Sequence, residues 1–209
     1  MGGSGRDTPF YFQKPACAAV DTTVVREVPM SRGGERYDFE AEIVLAVGNG
    51  SGTAIRNLES TEDAAGLIRA IGVGSDMTMR DRQDNFKSLR QPWCCSKALE
   101  FSAPVSRLVT NPGGSERDAW WWSDDAELTL TYDGEVRQRT PVKNMIWSPL
   151  EQIVNLSKTH DLYDGDLIFT GTPAGVGPVK PGGHVRVVLE NTATNDEIVC
   201  EFIVTKEDV

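Results

Sequence analysis

No stretch of this chain is apolar for long enough to cross a bilayer as a helix, and no charged-then-apolar leader opens it. Met1 to Arg6 also misses the myristoylation pattern, because position 6 is Arg rather than Ser or Thr. The expected location is therefore cytoplasmic, or mitochondrial if a further segment precedes Met1. Positive charge is scarce: 21 Lys and Arg stand against 31 Asp and Glu, a net charge of -10. That balance argues against nucleic acid or an anionic membrane as a partner. The four cysteines, Cys17, Cys94, Cys95 and Cys200, lack metal-ligand spacing and read as reduced thiols. Histidine is limited to His160 and His184. The chain also lacks a Walker A loop, a dinucleotide fingerprint, heptads, an internal repeat and any low-complexity linker.

What is present points to strands. The length of 209 residues suits one domain, and 20 glycines with 11 prolines imply many turns. Phe10-Tyr11-Phe12 reads as a short strand. Leu128 to Tyr132 alternates apolar and polar residues and runs into Asp133-Gly134, a hairpin signal. Leu167 to Phe169, Val185 to Leu189 and Ile198 to Val204 complete the strand set. Two helix starts are legible. Ser60 opens a helix that the pattern extends through Leu67, Ile68 and Ile71. Ser148-Pro149-Leu150-Glu151 combines an N-cap, Pro at the first helical position and a capping-box Glu, with Leu150, Ile153 and Val154 as the apolar face. The stretch containing Lys87 and Arg90 reads as polar connection. The Trp120-Trp121-Trp122 run suits a core or a subunit contact, and Glu135, Arg137, Arg139 and the Asp124-Asp125 pair suit a solvated face. His160 reads as a helix C-terminal cap and His184 as solvated.

The unusual segment is Tyr37 to Val47. As a strand it places Phe39, Ala41, Ile43, Leu45 and Val47 on one face and Glu40 with Glu42 on the other. Two neighbouring carboxylates repel, more so near an apolar interior, and a divalent cation would remove that cost. Spacing alone still favours a solvated strand face for such a pair. Asp76 adds a third carboxylate, and an all-oxygen set suits Mg²⁺, Mn²⁺ or Ca²⁺ better than Zn²⁺. A second candidate is the Gly-rich segment 171–177, readable either as a plain β-turn or as a loop whose N–H groups and Thr172 hydroxyl hold a carboxylate.

Six blocks in chain order sharpen these readings: Phe12-Gln13-Lys14-Pro15, Phe39-Glu40-Ala41-Glu42, Asp76 to Gln83, Pro92-Trp93 with Lys97, Met145-Ile146-Trp147-Ser148, and Gly165 to Gly177. Together they resemble the fumarylacetoacetate hydrolase family, and within it the acylpyruvate and fumarylpyruvate hydrolases. The resemblance implies an α+β, mostly β fold with a central mixed β-roll or sandwich and few helices. It implies a single catalytic domain over residues 1–209, beginning after the family's N-terminal lid with its His-Glu pair, and a homodimer.

It also implies roles. Glu40, Glu42 and Asp76 match the ligands of Mg²⁺ or Mn²⁺, Lys97 the active-site lysine, and Lys14, Arg80, Gln83 and the Gly171-Thr172 loop the substrate pocket. Without the motif, Lys97 would read as a surface lysine in a salt bridge. The implied reaction is hydrolysis of the C–C bond of a 2,4-dioxo acid such as fumarylpyruvate, giving pyruvate and a carboxylic acid. Two alternatives stand beside it. One is decarboxylation of oxaloacetate or isomerisation of a 2-oxo acid at the same metal site. The other is a non-enzymatic β-rich module with a structural Ca²⁺.

Overall fold

The computed structural model describes residues 6–110, 121 and 123–206. Two large sheets dominate it. The first is built from β1 (Ala19–Asp21), β7 (Ala103–Val105), β5 (Ile68–Ser75), β4 (Ala41–Val47) and β11 (Leu167–Phe169), in that order, with β8 (Val109–Thr110) also on β5. The second has the order β10 (Glu135–Pro141), β9 (Ala126–Tyr132), β13 (His184–Asn191), β14 (Glu197–Thr205) and β2 (Glu27–Pro29). A small third sheet joins β12 (Gly177–Pro178), β3 (Tyr37–Phe39) and β6 (Thr78–Met79). Both large sheets mix parallel and antiparallel pairs: β1 runs parallel to β7, and β2 to β14. The helices are few and short among the described residues: α1 (Thr61–Ala65), α2 (Arg80–Leu89), α3 (Cys94–Lys97) and α4 (Pro149–Leu156). The fold is thus mostly β with mixed sheets, as the sequence suggests.

The core lies where the large sheets meet, with β5 against β13 and β14 and β4 against β9. Strand alternation decides who enters it. Val185, Val187 and Leu189 of β13 and Ile198, Cys200, Phe202 and Val204 of β14 point inward, whereas Glu201 and Ile203 do not. The same alternation puts Phe39, Ala41, Ile43, Leu45 and Val47 into the cluster. The hairpin between β9 and β10 turns at Asp133 (φ 51°) and Gly134 (φ 81°), the two left-handed residues that a tight twisted hairpin needs. In α4, Ser148 accepts the Glu151 N–H and the Glu151 side chain accepts the Ser148 N–H, so the capping box is complete.

Several expectations change. The helix after Ser60 ends at Gly66, and Ile68 and Ile71 belong to β5. Gly66 stops a marginal helix, and the β-branched run beyond it gains more from pairing with β4. The polar stretch with Lys87 is instead α2, whose C-terminus closes on Arg90 in the left-handed conformation. Residues 10–12 form no strand. Side chains hold this N-terminal segment instead: Trp147 Nε1 donates to Asp7 O at 2.9 Å, Tyr11 OH to Gln152 O at 3.0 Å, and Arg6 lies over the Trp147 ring. Of the tryptophan run, Trp121 is buried in the core, while 120 and 122 lie outside the described residues. All four cysteines are free thiols.

Candidate metal centre

The site begins where the backbone changes sheets. β3 pairs in the small sheet and β4 in the six-stranded one, and Glu40 is the residue between them. Its own main chain is held from both sides: Glu40 N–H donates to Ser75 Oγ at 3.2 Å, and Glu40 O accepts Asp76 N–H at 2.8 Å. Ala41 N–H donates to Gln138 Oε1 at 2.9 Å. These bonds fix Glu40, Glu42 and Asp76 relative to one another. All three are buried, and one carboxylate oxygen from each lies within 4.8 Å of the others. The solvated-face reading of Glu40 and Glu42 is therefore wrong for this fold.

Three cations surround the triad. Lys97, at the end of α3, is almost fully buried; its Nζ donates to Asp76 Oδ2, to Glu40 Oε2 at 2.9 Å and to Thr78 Oγ1 at 2.6 Å. Burial opposes its charge, but Asp76 and Glu40 outweigh burial and hold its pKa above the ordinary lysine value. Lys14 reaches in from the N-terminal segment. Its Nζ lies 2.9 Å from Asp76 Oδ1 and donates to Ser102 Oγ at 2.7 Å and to the carbonyl of Lys97. Burial dominates there and lowers the Lys14 pKa. Arg80, at the start of α2, donates to Asp38 Oδ2 at 2.9 Å, to Glu40 Oε1 and to Gln83 Oε1 at 2.5 Å. Asp38 is wholly buried and also takes Arg36, which makes it the anchor of this arginine pair. Sequence reasoning missed it; its place one strand position before Phe39, in a buried strand, was the available signal.

Glu42 is the exception in this network. Its carboxylate is paired with no cation within ion-pair distance among the described residues, and it accepts one hydrogen bond there, from Gly171 N–H to Oε2 at 2.7 Å. Burial first, then Asp76 and Glu40, push its pKa well above the ordinary 4.5. Asp76 Oδ1 is also buried and accepts no hydrogen bond, despite the Lys14 ammonium nearby. Three buried carboxylates converging on one point, with no cation within ion-pair distance of Glu42 among the described residues, form an all-oxygen group that fits a hard divalent cation.

The Gly-rich segment flanks this point. Gly171 has φ 95° and presents its N–H to Glu42. Thr172 Oγ1 accepts Gln138 Nε2 at 2.8 Å, which leaves the hydroxyl proton to donate outward. Gln138, a buried residue of β10, thus ties Ala41, Thr172 and Pro173 together, a role that sequence reasoning also missed. Gly175 closes the loop with φ 103°, and a Cβ there would lie 2.1 Å from Arg137 O. Gly175→Ala is expected to destabilise the protein by about 1–3 kcal/mol and to shift the Thr172 loop. A urea titration with the Thr172 amide followed by NMR checks both.

On the other side, Phe12 lies over Lys97, its ring centre 4.9 Å from Nζ, and packs near Trp93 at 6.5 Å. The structure thus brings together Lys14, Glu40, Glu42, Asp76, Arg80, Gln83, Lys97, Gly171 and Thr172. It leaves both histidines elsewhere. His160 is exposed after α4 beside Thr159, and His184 on β13 pairs with Glu201 at 2.8 Å.

Comparison with known proteins gives a consistent result. A model of the fumarylacetoacetate (FAA) hydrolase C-terminal family matches residues 4–202. A mitochondrial oxaloacetate decarboxylase of Dictyostelium discoideum is 32% identical over 196 residues, covering 93% of this chain and 84% of that protein. A fumarylpyruvate hydrolase from Ralstonia is 32% identical over 184 residues, covering 88% of each chain. The crystal structure of fumarylpyruvate hydrolase from Pseudomonas aeruginosa, in complex with Mn²⁺ and pyruvate, superposes with a TM-score of 0.82 at 32% identity, covering 97% of this chain and 81% of that one.

Proposed function

This chain belongs to the fumarylacetoacetate hydrolase family, and we propose that it cleaves the C–C bond of acylpyruvates, 2,4-dioxo acids such as fumarylpyruvate, with Mg²⁺ or Mn²⁺ held by Glu40, Glu42 and Asp76. The observation that carries this reading is the buried carboxylate triad with Glu42 left without a cation. When bound, the divalent ion supplies Lewis-acid polarisation of the substrate's 2-oxo group. The P. aeruginosa relative, crystallised with Mn²⁺ and pyruvate, supports the same pairing of metal and product.

The chain's own residues supply the rest. Lys97 places an ammonium beside the triad, where it stabilises negative charge growing on the substrate oxygen. Thr172, oriented by Gln138, donates its hydroxyl proton to the substrate carboxylate. Phe12 and Trp93 form an apolar wall that limits water next to Lys97. Water adds to the 4-oxo carbon and the C3–C4 bond breaks. Its electron pair stays on C3, and protonation there completes pyruvate beside the released carboxylic acid.

A second reading, decarboxylation of oxaloacetate, is favoured by one observation: the Dictyostelium discoideum relative, 32% identical and covering 93% of this chain, is an oxaloacetate decarboxylase. That reaction also breaks a C3–C4 bond but requires no added water. One assay separates the two. Mn²⁺-loaded protein is given acetylpyruvate, fumarylpyruvate and oxaloacetate, and pyruvate is measured by coupled reduction to lactate. Faster release from an acylpyruvate is expected. Release from oxaloacetate alone selects the second reading, and release from none removes both.

A further inference from the structure

Helix α2 presents Arg80, Gln83 and Lys87 along one face, at positions i, i+3 and i+7. The first two are already engaged with the triad's neighbours. Arg80 is shared among Asp38, Glu40 and Gln83, and the buried Gln83 accepts from Arg80. Lys87 extends this line outward by one turn. Its Nζ donates to Gln83 Oε1 at 2.8 Å and lies over the Trp93 ring, 5.1 Å from the centroid. Trp93 in turn packs on Phe10 and Phe12, and Phe12 covers Lys97. Lys87 therefore stands on the same aromatic wall as Lys97, on the far side of Gln83 from Glu40.

Its charge is unusual among these groups. Lys14, Lys97 and Arg80 each lie within ion-pair distance of a buried carboxylate. Among the described residues, no acidic side chain lies within that distance of Lys87. An ammonium has three donors, and Gln83 and the ring account for two directions. A half-buried cation held by a neutral amide and an aromatic face has its position set with no carboxylate in contact, Asp84 and Glu40 acting on it only from farther off. Burial, then the nearby Arg80 charge, lower its pKa from the ordinary lysine value, against an opposing pull from Asp84 and Glu40.

We infer that Lys87 receives the second carboxylate of a 2-oxo dicarboxylic acid, so that this site selects dicarboxylic over monocarboxylic substrates. The inference rests on the proposed 2-oxo acid chemistry: one end of the substrate is held at the triad, and Lys87 lies farther along the helix face that leads from it. Arg80 is saturated by Asp38 and Glu40 and is less suited to the task. A site that pairs a charge with a substrate group rejects the analogue lacking that group, because the cation is then left partly dehydrated and unpaired.

Two measurements on Lys87→Met, which keeps an unbranched side chain of similar length beside Trp93, test it. Lys87→Arg, which restores a cation, is the control. In turnover, the ratio of kcat/KM for fumarylpyruvate to that for acetylpyruvate is expected to fall about 10–100-fold in Lys87→Met, through KM, and to recover in Lys87→Arg. An unchanged ratio overturns the inference. The second measurement is calorimetric binding of two unreactive acids of equal length, 2-oxoglutarate and 2-oxopentanoate, to the Mn²⁺-loaded protein. The parent is expected to prefer the dicarboxylate, and Lys87→Met to lose that preference. Equal binding by the parent, or a preference that survives the substitution, overturns the inference. This readout is independent of turnover, so an inactive parent sinks the proposed function and leaves the binding result to decide the role of Lys87.

Discussion

Glu42→Gln is expected to lower turnover at least about a hundredfold while leaving the metal-free protein as stable as the parent, or more so. The reasoning lies in what Glu42 touches. Among the described residues it accepts one hydrogen bond, from the Gly171 N–H, which a glutamine oxygen also accepts. The largest charge effects on it come from Asp76 and Glu40, both repulsive, against a smaller attraction from Lys97. Removing the Glu42 charge therefore removes a cost from the empty site and a ligand from the filled one. Most buried-charge substitutions destabilise, so activity lost with stability kept is a specific signature. Paired thermal melts and steady-state kinetics read it.

The same group sets a pH dependence. Its folded pKa is raised by burial, then by Asp76 and Glu40. Below the unfolded value both states are protonated and no cost arises. As pH rises past it, the unfolded chain loses the proton first, so metal-free stability falls up to the folded pKa and then levels. A cation must displace that proton. Mn²⁺ affinity is therefore expected to rise with pH across this window, with proton release seen as a buffer-dependent binding enthalpy. Glu42→Gln should flatten the pH dependence of metal-free stability.

Lys97→Met carries the second large effect, with the opposite pattern. Lys97 neutralises Asp76 and Glu40 when no metal is bound, and it is 2% exposed. Its loss leaves Asp76 with Lys14 alone and Glu40 with Arg80 alone, one positive charge short in a buried site, and the metal-free protein is expected to lose about 3–5 kcal/mol. Excess Mn²⁺ should restore much of that stability, since the ligands remain. Turnover should still fall about 10²–10³-fold, because the charge beside the developing oxyanion is gone. Denaturation with and without Mn²⁺, alongside kcat, separates the two roles. Equal stability loss with and without Mn²⁺ would make Lys97 a structural residue only.

These contrasts rest on residues of unequal legibility. Glu40, Glu42 and Asp76 were readable because strand alternation and an ordered set of blocks pointed to them. Their burial was not readable, since a lone E-x-E suits a wet face equally well; it follows from the change of sheets at Glu40 and the roof made by Gly171. The α4 capping box and the Asp133-Gly134 hairpin were local rules and came through intact. Helix α2 was not legible because its inward face is polar. Arg80, Gln83 and Lys87 face the site, so no apolar period of 3.6 marks the element. Ile68 and Ile71 misled in the other direction: a helical spacing that cross-strand pairing with β4 overrode. Asp38 reaches Arg80, 42 positions away in sequence, and Gln138 reaches Ala41, 97 positions away, and no local pattern names either partner.

The claim beneath all of this is that Glu40, Glu42 and Asp76 hold a divalent cation. Titration of the folded protein with Mn²⁺, following the free-ion signal by electron paramagnetic resonance, tests it most directly. The account predicts saturation at one ion per chain for the parent and loss of that site in a folded Glu42→Gln protein. A parent that leaves all the Mn²⁺ free, or a Glu42→Gln protein that binds it as tightly, would contradict it.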